Sequence, residues 1–439
     1  MSRTFARARG SLTVLRALPG QRGAHYRPPE WLQAERDRRV RALVRHAADH
    51  VTYYQEFFKR ERIDPRELRT AGDLAALPLV DKHAIHRDPG AFRSTAFADG
   101  DVLLMRTNGS TGRPVDVYHD RHGLLETIAH SERDRAVESA FCSSRYRYRV
   151  VEVRNVLQSA VGDIQAFYGR SSFRPLRPRV EPVMLDLPID DVLERVASTR
   201  PEVLRGYGSY LEAFFRAVEA RGSRLATPKV VVYYGDVMSP AGRRLIEERF
   251  GIPVVSRYGA AEALRIGFTC ERRDGFHLHE DLCHVRLLDD DGREADEGEV
   301  VISNLVNRGT VLLNYRLGDR ARLDRSPCAC GRTTVRVAEV LGRVADVIPL
   351  RDRLVHQFTL GDTVGQFDEL FSYQLAQLAP SQFELRLATE DELTYARVAP
   401  AVVEQVRRHL PGCEVVPAFR PGLVADANGK VRRIVPLPP

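Results

Sequence analysis

Apolar residues recur at helical spacing from Trp31 to Arg60, where Leu32, Val40, Leu43 and Val44 precede the aromatic segment HVTYYQEFFKR. Asp73–Leu77 leads into Pro78-Leu79-Val80-Asp81-Lys82, which reads as a turn followed by a new helix start. DVLLM (Asp101–Met105) reads as a strand, Leu124–Phe141 as a helix, and Arg149–Val156 and Pro182–Leu187 as strands. Val192–Val218 is helical in pieces, with Arg205-Gly206-Tyr207-Gly208 read as the break between them. Lys229–Tyr234 is an unbroken β-branched and aromatic run, the pattern of a strand buried on both faces. A helix over Pro240–Phe250 and a strand over Pro253–Ser256 complete a βαβ unit, which predicts an α/β core with parallel strands. From Phe276 to Leu323 short apolar runs alternate with acidic turns such as LDDDGREADEGEVVIS, predicting an antiparallel β subdomain. A second, smaller α+β unit is expected from about Asp346, with a strand over Gln382–Leu387, a helix over Val402–Leu410 and a strand over Glu414–Pro417.

Composition narrows the class without naming a function. A chain of 439 residues exceeds one ordinary core, and 43% hydrophobic with 28% charged residues describes a soluble globular protein. The formal charge of +7 is carried almost wholly by arginine, since Lys59, Lys82, Lys229 and Lys430 are the only lysines. The arginines are interspersed with acids, so no nucleic-acid stripe is expected, while small polyanions remain compatible partners. No apolar run reaches the length of a membrane span. The basic first residues, broken by Arg16, read as an extension or part of a first helix rather than a signal. Six cysteines in this length do not make a disulfide framework, and a cytoplasmic location is expected.

The candidate chemistry begins in the loop after the strand Asp101–Met105, where Thr107, Asn108, Gly109, Ser110, Thr111, Gly112 and Arg113 follow one another. Glycines that free backbone N–H groups, together with hydroxyls and a guanidinium, suit a polyphosphate, although the spacing is not that of the Walker loop. In order along the chain come RYGAAEA (Arg257–Ala263), GEVVISNL…LLNYRLGD (Gly298–Asp319), CACGRTTVRVAEVLGRVAD (Cys328–Asp346) and NGKVRR (Asn428–Arg433). Together with HVTYYQEFF and DLAALPLVDKHAI near the start, these resemble the phenylacetate–CoA ligases and their capsular-polysaccharide biosynthesis relatives. Those proteins form a branch of the adenylate-forming, acyl-CoA synthetase superfamily.

The resemblance implies an α/β fold with a large N-terminal adenylate-forming domain over 31–344, containing mixed sheets and the β subdomain. It also implies a small mobile α+β domain over 345–439, with residues 1–30 as an N-terminal extension. ATP-dependent activation of a carboxylic acid, aryl or arylacetic in this family, would give acyl-AMP for transfer to CoA. The alternatives are an amine or another small nucleophile as acceptor, or a non-catalytic binding relative. A homodimer is compatible, and neither nucleic acid nor membrane is an expected partner. By the same resemblance the Thr107–Arg113 loop would hold the β- and γ-phosphates, and Tyr258 with Gly259 and Ala260 would face adenine. Gly235 and Asp236 would line the adenine pocket, and Asp319 would accept the ribose hydroxyls with Arg343 nearby at the hinge. Glu262 would hold Mg²⁺, and Lys430 would bridge the carboxylate and the α-phosphate.

Three departures stand out. Ala261 replaces the family's Thr or Ser before the glutamate, Asn108 replaces a small hydroxyl residue, and IPLRDRLVHQF replaces the usual glycine- and asparagine-containing segment after the hinge. The turn Cys328-Ala329-Cys330, with Cys270 and His277 upstream, has the composition of a closed Cys₃His zinc site, which relatives with this arrangement also resemble. His279, Cys283 and His284 are rivals for a ligand position.

Overall fold

The computed structural model of the protein describes residues 3–107, 115–154, 160–173, 177–340, 347–350, 352–364, 366–367, 369–370, 372–421, 433–435 and 437. The first pair of strands is β1 (Val102–Arg106) and β2 (Asp116–Asp120), an antiparallel ribbon flanking the Gly/Ser/Thr loop. The parallel core comprises β3 (Arg149–Arg154), β4 (Arg179–Met184), β5 (Val203–Tyr207), β6 (Val230–Tyr234) and β7 (Val254–Tyr258). It continues through β8 (Gly267–Thr269), β9 (Phe276–Leu278), β10 (Cys283–Leu288), β11 (Glu297–Asn304), β12 (Tyr315–Asp324) and β13 (Arg336–Val340).

These eleven strands from β3 to β13 form one sheet, in the order β10-β11-β12-β13-β9-β8-β7-β6-β5-β3-β4. The antiparallel half therefore does not stand apart from the parallel half. The short strands β8 and β9 weld it to β7. The segment Arg205-Gly206-Tyr207, expected as a break, is the end of the buried strand β5, paired in register with β6. Its glycine and arginine imitate a turn in sequence, but pairing on both sides overrides local propensity.

The two faces of the parallel region are covered differently. On one, Val151, Val153, Leu204, Val231 and Val254 pack beneath the helices Ile189–Thr199 and Gly208–Arg221. On the other, Val150, Val203, Val230, Val232 and Val255 meet Val137 of the helix Glu132–Ala140. Side chains two apart share a face. That second face therefore continues, toward the carboxyl ends of the strands, into Glu152, Arg154, Arg205, Tyr207, Tyr234 and Arg257. Apolar packing gives way to charge where ligands bind open α/β sheets.

The remaining strands belong to the C-terminal part. β14 (Val347–Pro349) and β15 (Leu354–His356) form a hairpin, while β16 (Ser372–Ala379), β17 (Gln382–Ala388), β18 (Glu414–Phe419) and β19 (Ile434–Val435) form a sheet ordered β18-β17-β16-β19. The helix Glu392–His409 contains Pro400 and packs Val402, Val403 and Val406 against Leu375, Leu385 and Leu387. It begins ten residues before the expected start because Asp391 caps it, accepting from the Thr394 N–H at 2.7 Å. At the other end of the chain, Arg3–Ala17 is helical and places Val14 against Leu124, Phe167 and Tyr168. No helix among the described residues is long and apolar enough to cross a membrane.

Candidate active site

A cavity of about 870 Å³ opens at the carboxyl ends of the parallel strands. Thr107 at its edge marks where the Gly/Ser/Thr loop begins, but Asn108, Gly109, Ser110, Thr111, Gly112 and Arg113 lie outside the described residues. So do Arg343 and Lys430. Among the described residues, the cavity wall brings together Gly235 and Asp236 after β6, the turn Tyr258–Glu262 after β7, and Asp319 of β12.

Each of these is held by a specific contact. Gly235 has φ +83°, a left-handed conformation that a side chain would strain, so the chain can turn sharply beside the cavity. Asp236 accepts from the N–H of Ser209 at the start of the helix Gly208–Arg221, where a carboxylate complements the free N–H groups. It also contacts the Ser209 hydroxyl and, at 3.0 Å, Nε2 of His356. His356 is fully buried and stacks on Tyr207 with ring centroids 4.9 Å apart. One residue of the C-terminal part is thus clasped to the cavity wall. Tyr258 donates its hydroxyl to Asp319 at 3.0 Å, joining the two halves of the sheet across the cavity.

Glu262 is buried, and its carboxylate accepts from the Tyr315 hydroxyl at 3.2 Å, while its carbonyl accepts from Asn304. Ala261, next to it, offers its carbonyl to Nε2 of His119 at 2.7 Å. A carbonyl only accepts, so that nitrogen carries the proton, and burial lowers the His119 pKa to about 4. The neutral ring therefore tethers β2, just beyond the loop, to the turn bearing Glu262.

Under the helix Glu132–Ala140 runs an alternating chain of charges, of which Glu152, Arg205, Arg257, Asp134 and Arg265 line the cavity. Arg154 contacts Glu152 at 3.2 Å, Glu152 contacts Arg205 at 3.2 Å, and Arg205 contacts Glu138 at 2.8 Å. Glu138 contacts Arg257, which reaches Asp134 at 2.9 Å, and Asp134 contacts Arg265 at 2.7 Å. Burial pushes the Asp134 carboxyl up, but Arg265 and Arg257 more than reverse this and hold it below the usual carboxylate range.

Away from the cavity, Cys270, His277, Cys328 and Cys330 converge with their ligand atoms all within 4.8 Å of one another. The Cys270 and Cys328 sulfurs are 3.8 Å apart, and Cys330 Sγ lies 3.3 Å from His277 Nε2. Two sulfurs each ~2.3 Å from one tetrahedral zinc stand about 3.8 Å apart, so the observed spacing fits that ion. The other ring nitrogen of His277 meets Thr334 at 3.1 Å, the kind of outer contact that orients a ligating imidazole. Burial lowers His277 to about 4 and pushes the Cys328 thiol up to about 11. Against its burial, hydrogen bonds from Arg332 and its charge hold the Cys330 thiol below its usual value. His279, Cys283 and His284 are not part of this cluster.

No family model matches the chain. It is 26% identical over 338 residues to the phenylacetate–coenzyme A ligase of Thermus thermophilus, covering 74% of this chain and 73% of that one. It is 24% identical over 362 residues to the phenylacetate–coenzyme A ligase of Escherichia coli, covering 78% of each. The chain is similar to the phenylacetate–coenzyme A ligases over about three quarters of its length. Its fold matches 2-hydroxyisobutyryl-CoA ligase in complex with 2-HIB-AMP and CoA in the thioesterification state, with TM-score 0.63 and 17% identity over 95% of this chain and 91% of that one. The chain therefore has the fold of that ligase.

Four residues in or beside the cavity carry no motif and escaped the sequence reading: Glu152, Arg205, Tyr234 and His356. The only signal for the first two was charge inside apolar strands, where an unpaired group would be costly.

Proposed function

We propose that the protein uses ATP to join a carboxylic acid to coenzyme A in two steps. In the first, a carboxylate oxygen bonds to the α-phosphorus of ATP and the bond to pyrophosphate breaks, leaving acyl-AMP. In the second, the CoA thiol sulfur bonds to the acyl carbon, its proton leaves to solvent, and AMP departs. The observation that carries this reading is the convergence of Asp236, Tyr258, Glu262 and Asp319 on one large cavity in a chain similar to CoA ligases.

Within that reading the loop Thr107–Arg113 holds the phosphates through N–H and hydroxyl donors. Tyr258, Gly259 and Ala260 border the adenine, Gly235 and Asp236 close its pocket, and Asp319 accepts from the ribose hydroxyls with Arg343 near the hinge. Glu262 suits Mg²⁺, since it is a hard carboxylate on the cavity wall, and this ion is commonly held by one or two carboxylates with substrate phosphates. When bound, the ion would neutralise phosphate charge. Lys430 donates to the carboxylate and α-phosphate as charge develops. Residues 31–344 act as the adenylation domain and 345–439 as a domain that rotates between the steps. Pyrophosphate release across a panel of acids, with and without CoA, tests the reading. Acid-dependent release that yields an acyl thioester only when CoA is present is expected, and release without any thioester would favour a different acceptor.

Cys270, His277, Cys328 and Cys330 would hold a structural zinc, with no position left for substrate. Elemental analysis of the untagged protein is expected to find about one zinc per chain. Cys328→Ser should lose the metal and lower the melting temperature by at least ~5 °C, the scale of a few kcal/mol in a chain of this size. Metal-free protein of unchanged stability refutes the site.

A further inference from the structure

Within the ligase reading given above, on which this rests, we propose that the preferred acid carries a second carboxylate or comparable anion remote from the reacting one, received by Tyr234 and Arg205. The chain of charges described above begins and ends on arginine: Arg154, Arg205, Arg257 and Arg265 alternate with Glu152, Glu138 and Asp134. Four guanidinium groups less three carboxylates leave one positive charge in excess.

Hydrogen-bonding capacity is left over in the same sense. The Tyr234 hydroxyl, Arg205 Nε and Arg154 Nη1 are buried and have no hydrogen-bond partner among the described residues. All three are donors to an anion. Burial raises the Tyr234 phenol well above its ordinary value, so it keeps its proton to donate. Tyr234 and Arg205 line the cavity directly, on adjacent strands, and Tyr207 packs beside the Tyr234 ring at 5.6 Å.

An apolar acid would leave this wall desolvated with its excess charge and donors unmet, which buried polar groups tolerate poorly. Stability does not account for the network either, because burying ion pairs costs about as much as their attraction returns. A carboxylate at this position meets the Arg205 guanidinium and the Tyr234 phenol, a pairing that favours strong charge-assisted hydrogen bonds.

The test compares matched acids that differ by one carboxylate: 4-carboxyphenylacetate against phenylacetate, and adipate against hexanoate. With the full-length enzyme, kcat/KM for acid-dependent pyrophosphate release should be at least ~10-fold higher for one dicarboxylate than for its partner. Tyr234→Phe, which keeps the ring, should cut that ratio by about 10-fold or more, the worth of one hydrogen bond to a charged group. Equal or reversed preference in both pairs overturns the inference and leaves the ligase reading intact. If no acid yields pyrophosphate, the ligase reading fails, and calorimetric binding of the same four acids decides the pocket. Tighter dicarboxylate binding that weakens in Tyr234→Phe supports it, and equal binding or none in wild type overturns it.

Discussion

Glu262→Gln is expected to lower acyl-AMP formation at least ~100-fold and to raise the Mg²⁺ concentration needed for half-maximal rate. The substitution keeps the side chain's volume and an oxygen that can still accept from Tyr315, 3.2 Å away. Folding should therefore survive, which an unchanged melting temperature will confirm. What disappears is the negative charge, and a hard divalent cation depends on charge far more than on a neutral donor. The neighbouring position supplies the contrast. Ala261 points no hydroxyl into the site, and its carbonyl is occupied by His119. Ala261→Thr should change the same rate by no more than about tenfold, one hydrogen bond's worth. Normal turnover and metal dependence in Glu262→Gln would remove the adenylation mechanism and favour a binding role for the fold.

Lys430→Ala is expected to lower acyl-AMP formation by ~100-fold or more while largely sparing thioester formation from supplied acyl-AMP. The reasoning is electrostatic. Charge grows on the α-phosphate only while the mixed anhydride forms, so a mobile cation matters in that half-reaction and not in the thiol attack. Rapid-quench assays of each half-reaction separate the two. Equal loss in both would instead mean that Lys430 supports folding or domain placement. Among the chain's four lysines it alone follows a glycine in a C-terminal basic loop, which is why sequence singles it out.

Much of the architecture could be read from the chain because its local and tertiary preferences agree. Lys229–Tyr234 is β-branched and aromatic, and it forms β6 at the centre of the parallel strands. Where the two preferences conflict, reading failed. Arg205 and Gly206 look like a turn, yet partners on both sides and carboxylates above make them a strand. The unity of the eleven-stranded sheet was also hidden, since β8 and β9 have three residues each and carry too little periodicity to detect. The cysteine and histidine cluster was legible because ligand chemistry fixes residue type and spacing at once. The charge chain from Arg154 to Arg265 was not, because its members come from the strands, the helix Glu132–Ala140 and the turn after β7, and only the fold adds them up. The His356 clasp on Asp236 spans 120 residues and leaves no trace in either local sequence.

The cysteine turn has a further neighbour. Directly after Cys330, Thr333 donates its N–H and hydroxyl to the His25 carbonyl at 2.8 and 3.2 Å, and its hydroxyl reaches the Arg27 carbonyl at 2.5 Å. Arg332 lies over the Tyr26 ring at 4.9 Å. The beginning of the chain is thus buttoned down by the residues next to Cys330. With the zinc proposed above bound at Cys328 and Cys330, its removal would loosen that fastening without touching the helix Arg3–Ala17 itself. Proteases that cut after arginine would then find Arg22, so the earliest nick in a chelated sample should fall at the amino-terminal edge.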